Sequence, residues 1–101
     1  MTTPPKHLSR ESRAYWKHVA EQYEITLDAG ILLRAALENW DRAQQARVLV
    51  AAEGIVKDGK RHPAIDIEKQ AYGLFHRFMR QLGPDLASGD PVGRPDGAGM
   101  P

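Results

Sequence analysis

Lysine and arginine residues at helical spacing are the side chains of this sequence with the most evident chemical use. They form two groups, one in the first segment of the chain and one around a short turn near residue 58. Regularly spaced cations can line a phosphate backbone, and such binding weakens as salt is added. For a single helix, a solvated polar face is the commoner interpretation. The candidate DNA-binding residues are Lys6, Arg10, Arg13, Lys17, Lys57, Lys60 and Arg61.

Catalytic chemistry is not indicated by any residue pattern. The sequence has no cysteine, and its four histidines include no pair at the i, i+4 spacing of a helical metal site. No glycine-rich loop precedes a helix to bind a phosphate. Helix capping explains Ser9 and Ser12, which have no base near them in sequence. His62, beside Pro63, is expected to bond the backbone of a loop. We therefore expect a non-catalytic protein without a metal or cofactor.

Composition narrows the class of protein. The chain of 101 residues has 14 Lys and Arg against 13 Asp and Glu, so its net charge of +1 selects no partner. The length fits one domain. We expect a cytoplasmic protein without membrane contact, because no apolar run reaches the ~18 residues of a spanning helix and no signal peptide is evident. From Gly83 to Pro101, nine of nineteen residues are Gly or Pro. Residues 84–101 are predicted to be a disordered tail, because they bury too little apolar surface to offset ordering entropy.

Hydrophobic periodicity predicts three helices. The first covers residues 9–23 with Ser9 as its N-cap, and the second runs from residue 26 or 28 to a glycine at residue 54. The third begins at residue 63 and is expected to end at Gly83 and Pro84. Asp58-Gly59, after two β-branched residues, indicates a hairpin. The predicted fold is mainly α, with three helices and a short β-hairpin between the second and third. The predicted apolar face of the first helix is Leu8, Tyr15, Trp16, Val19, Ala20 and Tyr23.

The end of the second predicted helix has an unusual pattern. Its apolar residues keep to one face until about residue 43, and residues 48–52 are then apolar all round. Such a segment needs contacts on every side. A folded body of about eighty residues is poorly able to supply them, so the pattern predicts self-association. The candidate oligomer-interface residues are Val48, Leu49, Val50, Ile55 and Val56.

An ordered set of short motifs runs through residues 8–83. The set consists of Leu8-Ser9-Arg10-Glu11, Tyr15-Trp16, Trp40 and Arg42, Glu53-Gly54-Ile55-Val56, Gly59, His62-Pro63-Ala64 and Leu82-Gly83. With this order and spacing, the chain resembles the small terminase subunit of tailed bacteriophages, in the compact form typical of cohesive-end phages and their prophages.

The resemblance implies a function and a domain organisation. Members of that family are non-catalytic subunits that form rings, recognise double-stranded viral DNA and regulate the large terminase subunit, which carries the ATPase and nuclease. The host bacterial cytoplasm is the implied location. On this basis we expect an N-terminal extension over residues 1–7, a helical small-terminase-like domain over 8–83 and the tail over 84–101.

Two other functions stay open on the residues alone. One is a dimeric helical DNA-binding regulator whose third helix reads a major groove through Lys69, His76, Arg77 and Arg80. That face has no Asn or Gln at its centre to bind adenine. The other is a protein–protein adaptor without DNA contact. A dimer with a defined operator footprint favours the first function, and undetectable DNA binding at low salt favours the second.

Overall fold

The computed structural model describes residues 3–89, with side chains described for residues 3–83. Helix α1 spans Arg10–Gln22, α2 spans Leu27–Glu53 and α3 spans Pro63–Gly89; strands β1 (Val56–Lys57) and β2 (Lys60–Arg61) connect α2 to α3. The prediction of a mainly α fold with a hairpin between the second and third helices is confirmed. None of the helices in the described part of the chain is long and apolar enough to cross a membrane.

Local sequence signals determine where the first two helices begin and end. The Ser9 side chain accepts the Ser12 N–H at 3.1 Å, and the Thr26 side chain accepts the Ala29 N–H at 3.1 Å. These bonds satisfy amides that have no partner within the helix. Gly54, with φ of 88°, ends α2. A glycine reaches this conformation without steric cost.

The third helix is longer than predicted. Gly83 and Pro84 do not end it, because α3 continues to Gly89. Gly83 lacks the positive φ that Gly54 and Gly59 adopt, so it does not form a left-handed helix terminus. Pro84 has no N–H and removes one helical hydrogen bond. The predicted end of α3 at Gly83 and Pro84 is therefore wrong, and the rest of the predicted tail, residues 90–101, lies outside the described residues.

Helices α2 and α3 lie antiparallel. Gln44 Nε2 donates to the Tyr72 hydroxyl at 2.9 Å, and the Trp40 ring centroid is 5.2 Å from that of Phe75. Residue numbers thus rise along one helix as they fall along the other. We call the part where α1 packs on this pair the α1 end. The hairpin end comprises the last two turns of α2, the two strands and the first turn of α3.

The hydrophobic core lies at the α1 end. Trp16 is 1% exposed, so its predicted role in the core is correct. Tyr15 was expected on the same face but is 40% exposed, whereas Ser12 is 1% exposed. The buried face of α1 is therefore rotated from the predicted one, because Ser12, Trp16 and Val19 share the helical spacing that points inward. The core cluster contains Leu8, Trp16, Val19, Ile25, Ala29, Leu33, Leu37 and Leu82.

Candidate functional site

A tight turn places two lysines opposite each other at the tip of the hairpin. The strands are antiparallel, with Val56 opposite Arg61 and Lys57 opposite Lys60. Asp58 has φ of 55° and Gly59 has φ of 75°. Positive φ at both central residues is what a type I′ hairpin turn requires, and Asp-Gly accepts it readily. The sequence signal and the observed turn therefore agree.

His62 connects the end of α2 to the start of α3. Its ring is 3% exposed, and its Nδ1 accepts the Ala64 N–H at 3.0 Å. The Nε2 atom lies 2.7 Å from Glu53 Oε1. Because Nδ1 accepts, the proton of the neutral ring is on Nε2, which donates to Glu53. The expected bond to backbone near Pro63 is present and is made to the first turn of α3, whereas sequence reasoning missed the contact with Glu53.

Glu53 accepts two hydrogen bonds on one carboxylate oxygen. Besides His62, the Lys57 ammonium donates to Glu53 Oε1 at 2.9 Å. The hydrogen bond from Lys57, followed by that from His62, lowers the pKa of Glu53 below its ordinary value of 4.5. Glu53 is therefore ionised at neutral pH. An exposed ion pair of this kind contributes little stability by itself, so its main effect is to direct Lys57 back toward the end of α2.

An apolar surface, which we call the hairpin patch, is exposed at this end of the protein. All residues from 51 to 61 are exposed. A groove of about 620 Å³ runs between Leu49, the hairpin and the first turns of α3. Val50, also a candidate interface residue, is half-buried. The described chain leaves the other apolar side chains at this end uncovered. The hairpin patch consists of Val48 (68% exposed), Leu49 (43%), Ile55 (66%), Val56 (60%) and Ile67 (45%).

The basic residues of the hairpin are exposed beside this patch. Two of them have acidic partners: Lys57 pairs with Glu53, and Arg61 Nη2 lies 3.1 Å from Asp66 Oδ1. Lys60 forms no ion pair with any residue that the structure describes. The positive charge available at the hairpin is therefore smaller than the sequence alone indicates.

The basic residues of the first segment lie far from those of the hairpin. Lys6, Arg10 and Lys17 are exposed, while Arg13 is half-buried and its Nη1 donates to the Lys6 carbonyl at 3.4 Å. Hydrogen bonds from this segment reach α2 as far along as Asp41. About 20 Å of helix separate that point from the end of α2. The two predicted groups therefore do not form one surface within a single chain.

Asp41 attaches the start of α1 to α2. Its carboxylate accepts the Ser9 N–H at 2.7 Å, the Ser9 hydroxyl at 2.6 Å and the Ser12 hydroxyl at 2.6 Å. Sequence reasoning assigned both serines to capping alone and missed this cluster, whose partners are 29 and 32 residues apart. The one sequence feature that could have indicated this cluster is that Ser12 lies on the same helix face as Trp16, which predicts that its hydroxyl is buried.

Trp40 and Tyr23 pack against other side chains of the protein. Trp40 is half-buried, with ring centroids 5.8 Å from Tyr72 and 5.2 Å from Phe75. Its Nε1 donates to Glu11 Oε1 at 3.1 Å. Tyr23 is half-buried against the core cluster. Rings engaged in this way present little free face to a nucleic-acid base.

Neither a metal site in the described residues nor a known relative indicates the function. Among residues 3–89, no group of three or more His, Asp or Glu side chains is placed to hold a metal ion. No protein-family model, curated protein or solved structure matches the chain. The function is therefore inferred from the residues, their geometry and the resemblance carried by residues 8–83.

Proposed function

We propose that this chain is the small subunit of a phage terminase. In this role it is a non-catalytic protein of the host bacterial cytoplasm that forms a ring, recognises double-stranded viral DNA and recruits or stimulates the large ATPase and nuclease subunit. The observation that carries the proposal is the hairpin patch, an uncovered apolar surface beside exposed basic residues. The ordered motifs over residues 8–83 support the same assignment.

The occupant of the hairpin patch in this proposal is a second copy of the chain. An isolated two-stranded hairpin is marginally stable in water, and here both strands are exposed along their whole length. Their outer edges offer unpaired N–H and C=O groups to another chain. Burying the patch against a neighbour gains about 25 cal/mol for each Å² of apolar surface. A contact repeated head to tail forms a ring when the rotation from each subunit to the next brings the last subunit into contact with the first.

Assembly of identical subunits also explains how a chain with little net charge binds DNA in this proposal. In a single chain, Lys60 is the hairpin cation without an acidic partner in the described region. One such contact binds a phosphate weakly. A ring presents the contact once in each subunit, and simultaneous contacts raise the overall affinity strongly. Binding of this kind depends steeply on salt.

The solution mass of the purified protein tests the assembly. We expect light scattering on a sizing column to give a closed assembly larger than a tetramer. Val48→Asp is expected to dissociate it, because the charge enters the hairpin patch. Leu27→Asp is the matched control, since both side chains are 68% exposed and Leu27 lies at the α1 end. A wild-type protein that is monomeric at every concentration would overturn the ring, and a dimer would favour the DNA-binding regulator.

Salt-titrated binding to duplex DNA tests the recognition role. We expect wild-type affinity to fall as salt rises, with a smaller slope for Lys60→Gln. Stimulation of the large subunit's ATPase by the wild-type ring is the expected functional result. Undetectable DNA binding at low salt would instead favour the adaptor without DNA contact.

A further inference from the structure

The outward side of α3 is a second basic surface, separate from the candidate DNA-binding residues of the first segment and the hairpin. Its basic residues are those that the regulator alternative assigns to a major groove. Between Lys69 and Gly83 the helix has three cations and no acidic residue. Ala71 and Leu82 on the opposite side are 2% and 0% exposed, so this side faces away from α2. We call it the outer α3 face. It consists of the exposed residues Lys69, Gly73, His76, Arg77 and Arg80.

The charges of the outer α3 face are not neutralised by any side chain that the structure describes. In the region that the structure describes, Lys69, Arg77 and Arg80 take part in no ion pair. By contrast, Lys57 and Arg61 of the hairpin each contact a carboxylate. The outer α3 face therefore presents more uncompensated positive charge than the hairpin.

The helix dipole does not explain these arginines. Cations in the last turn of a helix stabilise its negative end, and the effect falls off within that turn. Had α3 ended at Gly83, Arg80 would have this role. Because α3 continues to Gly89, its last turn contains no basic residue. Arg77 and Arg80 lie in the helix interior, where the dipole gives them no comparable benefit.

Gly73 lies near the middle of the outer α3 face, and packing among the described residues does not require a glycine there. A glycine inside a helix costs about 1 kcal/mol relative to alanine. A Cβ atom built at Gly73 would meet no atom within 4 Å, so close packing does not require the glycine. The backbone there is open to the close approach of another molecule.

We propose that the outer α3 face binds the phosphate backbone of duplex DNA. Lys69 and Arg80 are separated by about 16 Å along the helix, a span that covers several phosphates of a duplex with one charge per ~1.7 Å of axis. Lysine and arginine contact phosphates whatever the base sequence, and the face has no Asn or Gln at its centre to bind adenine. This inference rests on the proposed function, since it names a surface through which the same protein contacts DNA.

The test compares two double variants that each remove two exposed arginines. The first, Arg77→Gln with Arg80→Gln, removes charge from the outer α3 face. The second, Arg34→Gln with Arg42→Gln, removes the same charge from α2 and is the matched control. Binding to one duplex is measured by fluorescence anisotropy across a salt series. We expect the first variant to lower the slope of log affinity against log salt by about 1.8 for each chain in contact with the duplex, because each of the two lost phosphate contacts lowers it by about 0.9.

Two further variants separate charge from shape. Arg77→Lys with Arg80→Lys is expected to keep the wild-type slope, because a phosphate accepts either cation. Gly73→Leu leaves the charge unchanged and is expected to weaken binding by obstructing close approach. A wild-type protein that binds DNA while the Arg77/Arg80 glutamine variant matches the control would overturn this inference and leave the proposed function standing. A wild-type protein that binds no DNA at low salt would overturn the proposed function itself.

Discussion

The two ends of the protein use their apolar residues in opposite ways. At the α1 end, Trp16, Leu33 and Leu82 are almost completely buried. At the hairpin end, Val48 and Ile55 are about two-thirds exposed, at 68% and 66%. Both ends are built on the same pair of long helices. The difference arises because α1 covers α2 and α3 at one end only.

This difference separates residues that fold the chain from residues that are available for contact. The α1 end holds the core cluster, and its burial stabilises the single chain. The apolar residues of the hairpin end add little to that stability because water still reaches them. Substitutions at the two ends should therefore have different consequences, on folding at one end and on association at the other.

The largest effect on folding is expected at Trp16. Trp16→Ala removes a side chain that is 1% exposed, and we expect the free energy of unfolding to fall by about 3–5 kcal/mol. Val48→Ala at the hairpin end is the control, with an expected change within about 0.5 kcal/mol for the dissociated chain. Denaturant unfolding followed by circular dichroism measures both. Equal losses for the two variants would contradict the division between the ends.

The helix boundaries could be predicted because their causes are local. Ser9, Thr26 and the Asp58-Gly59 pair act on residues within one turn of themselves, so the sequence pattern alone indicates them. Gly83 was wrongly predicted to end α3. It keeps a helical conformation instead of the positive φ of a left-handed helix terminus, and the neighbouring residues do not indicate this choice.

The polar contacts between elements could not be predicted in the same way. Asp41 meets Ser12 from 29 residues away, and Glu53 meets His62 across the hairpin. Such pairs depend on how the helices pack, which periodicity does not specify. Likewise, the composition of residues 48–52 predicts that this segment needs contacts, but it does not specify which side chains stay exposed. The structure identifies those side chains. The second-copy contact itself stays a prediction.

The next largest effect is expected where polar contacts attach α1. Asp41→Ala removes the acceptor of three hydrogen bonds from Ser9 and Ser12. Because hydrogen bonds to a charged group are stronger than neutral ones and Ser12 is buried, we expect a loss of about 2–3 kcal/mol. Glu38→Ala, one turn earlier on α2, removes an exposed contact with His7 and should cost less than about 1 kcal/mol. Thermal unfolding of both variants provides the measurement, and a larger loss for Glu38→Ala would argue against the Asp41 cluster.

A smaller and more local effect is expected at His62. His62→Ala loses the cap on the Ala64 N–H and the bond to Glu53, at a cost of about 1–2 kcal/mol. Amide hydrogen exchange at residue 62, whose N–H donates to the Ile55 carbonyl at 2.8 Å, should accelerate, because the His62 ring connects the ends of α2 and α3 that flank the hairpin. His62→Asn can still cap α3 and should retain part of the protection. If His62→Ala left exchange in the hairpin unchanged, the ring would not be what connects the two helices.

The smallest effect is the pH dependence of Glu53. Hydrogen bonds from Lys57 and His62 lower its pKa in the folded protein below 4.5, so the unfolded chain takes up the proton first as the pH falls. The stabilisation is therefore complete above pH 4.5 and is lost as the pH falls through the folded pKa. Glu53→Gln should flatten stability against pH in that range, whereas Glu24→Gln, which removes an exposed carboxylate at the α1 end, should leave the wild-type curve unchanged. Equal curves for all three proteins would mean that Lys57 and His62 do not favour the ionised form of Glu53.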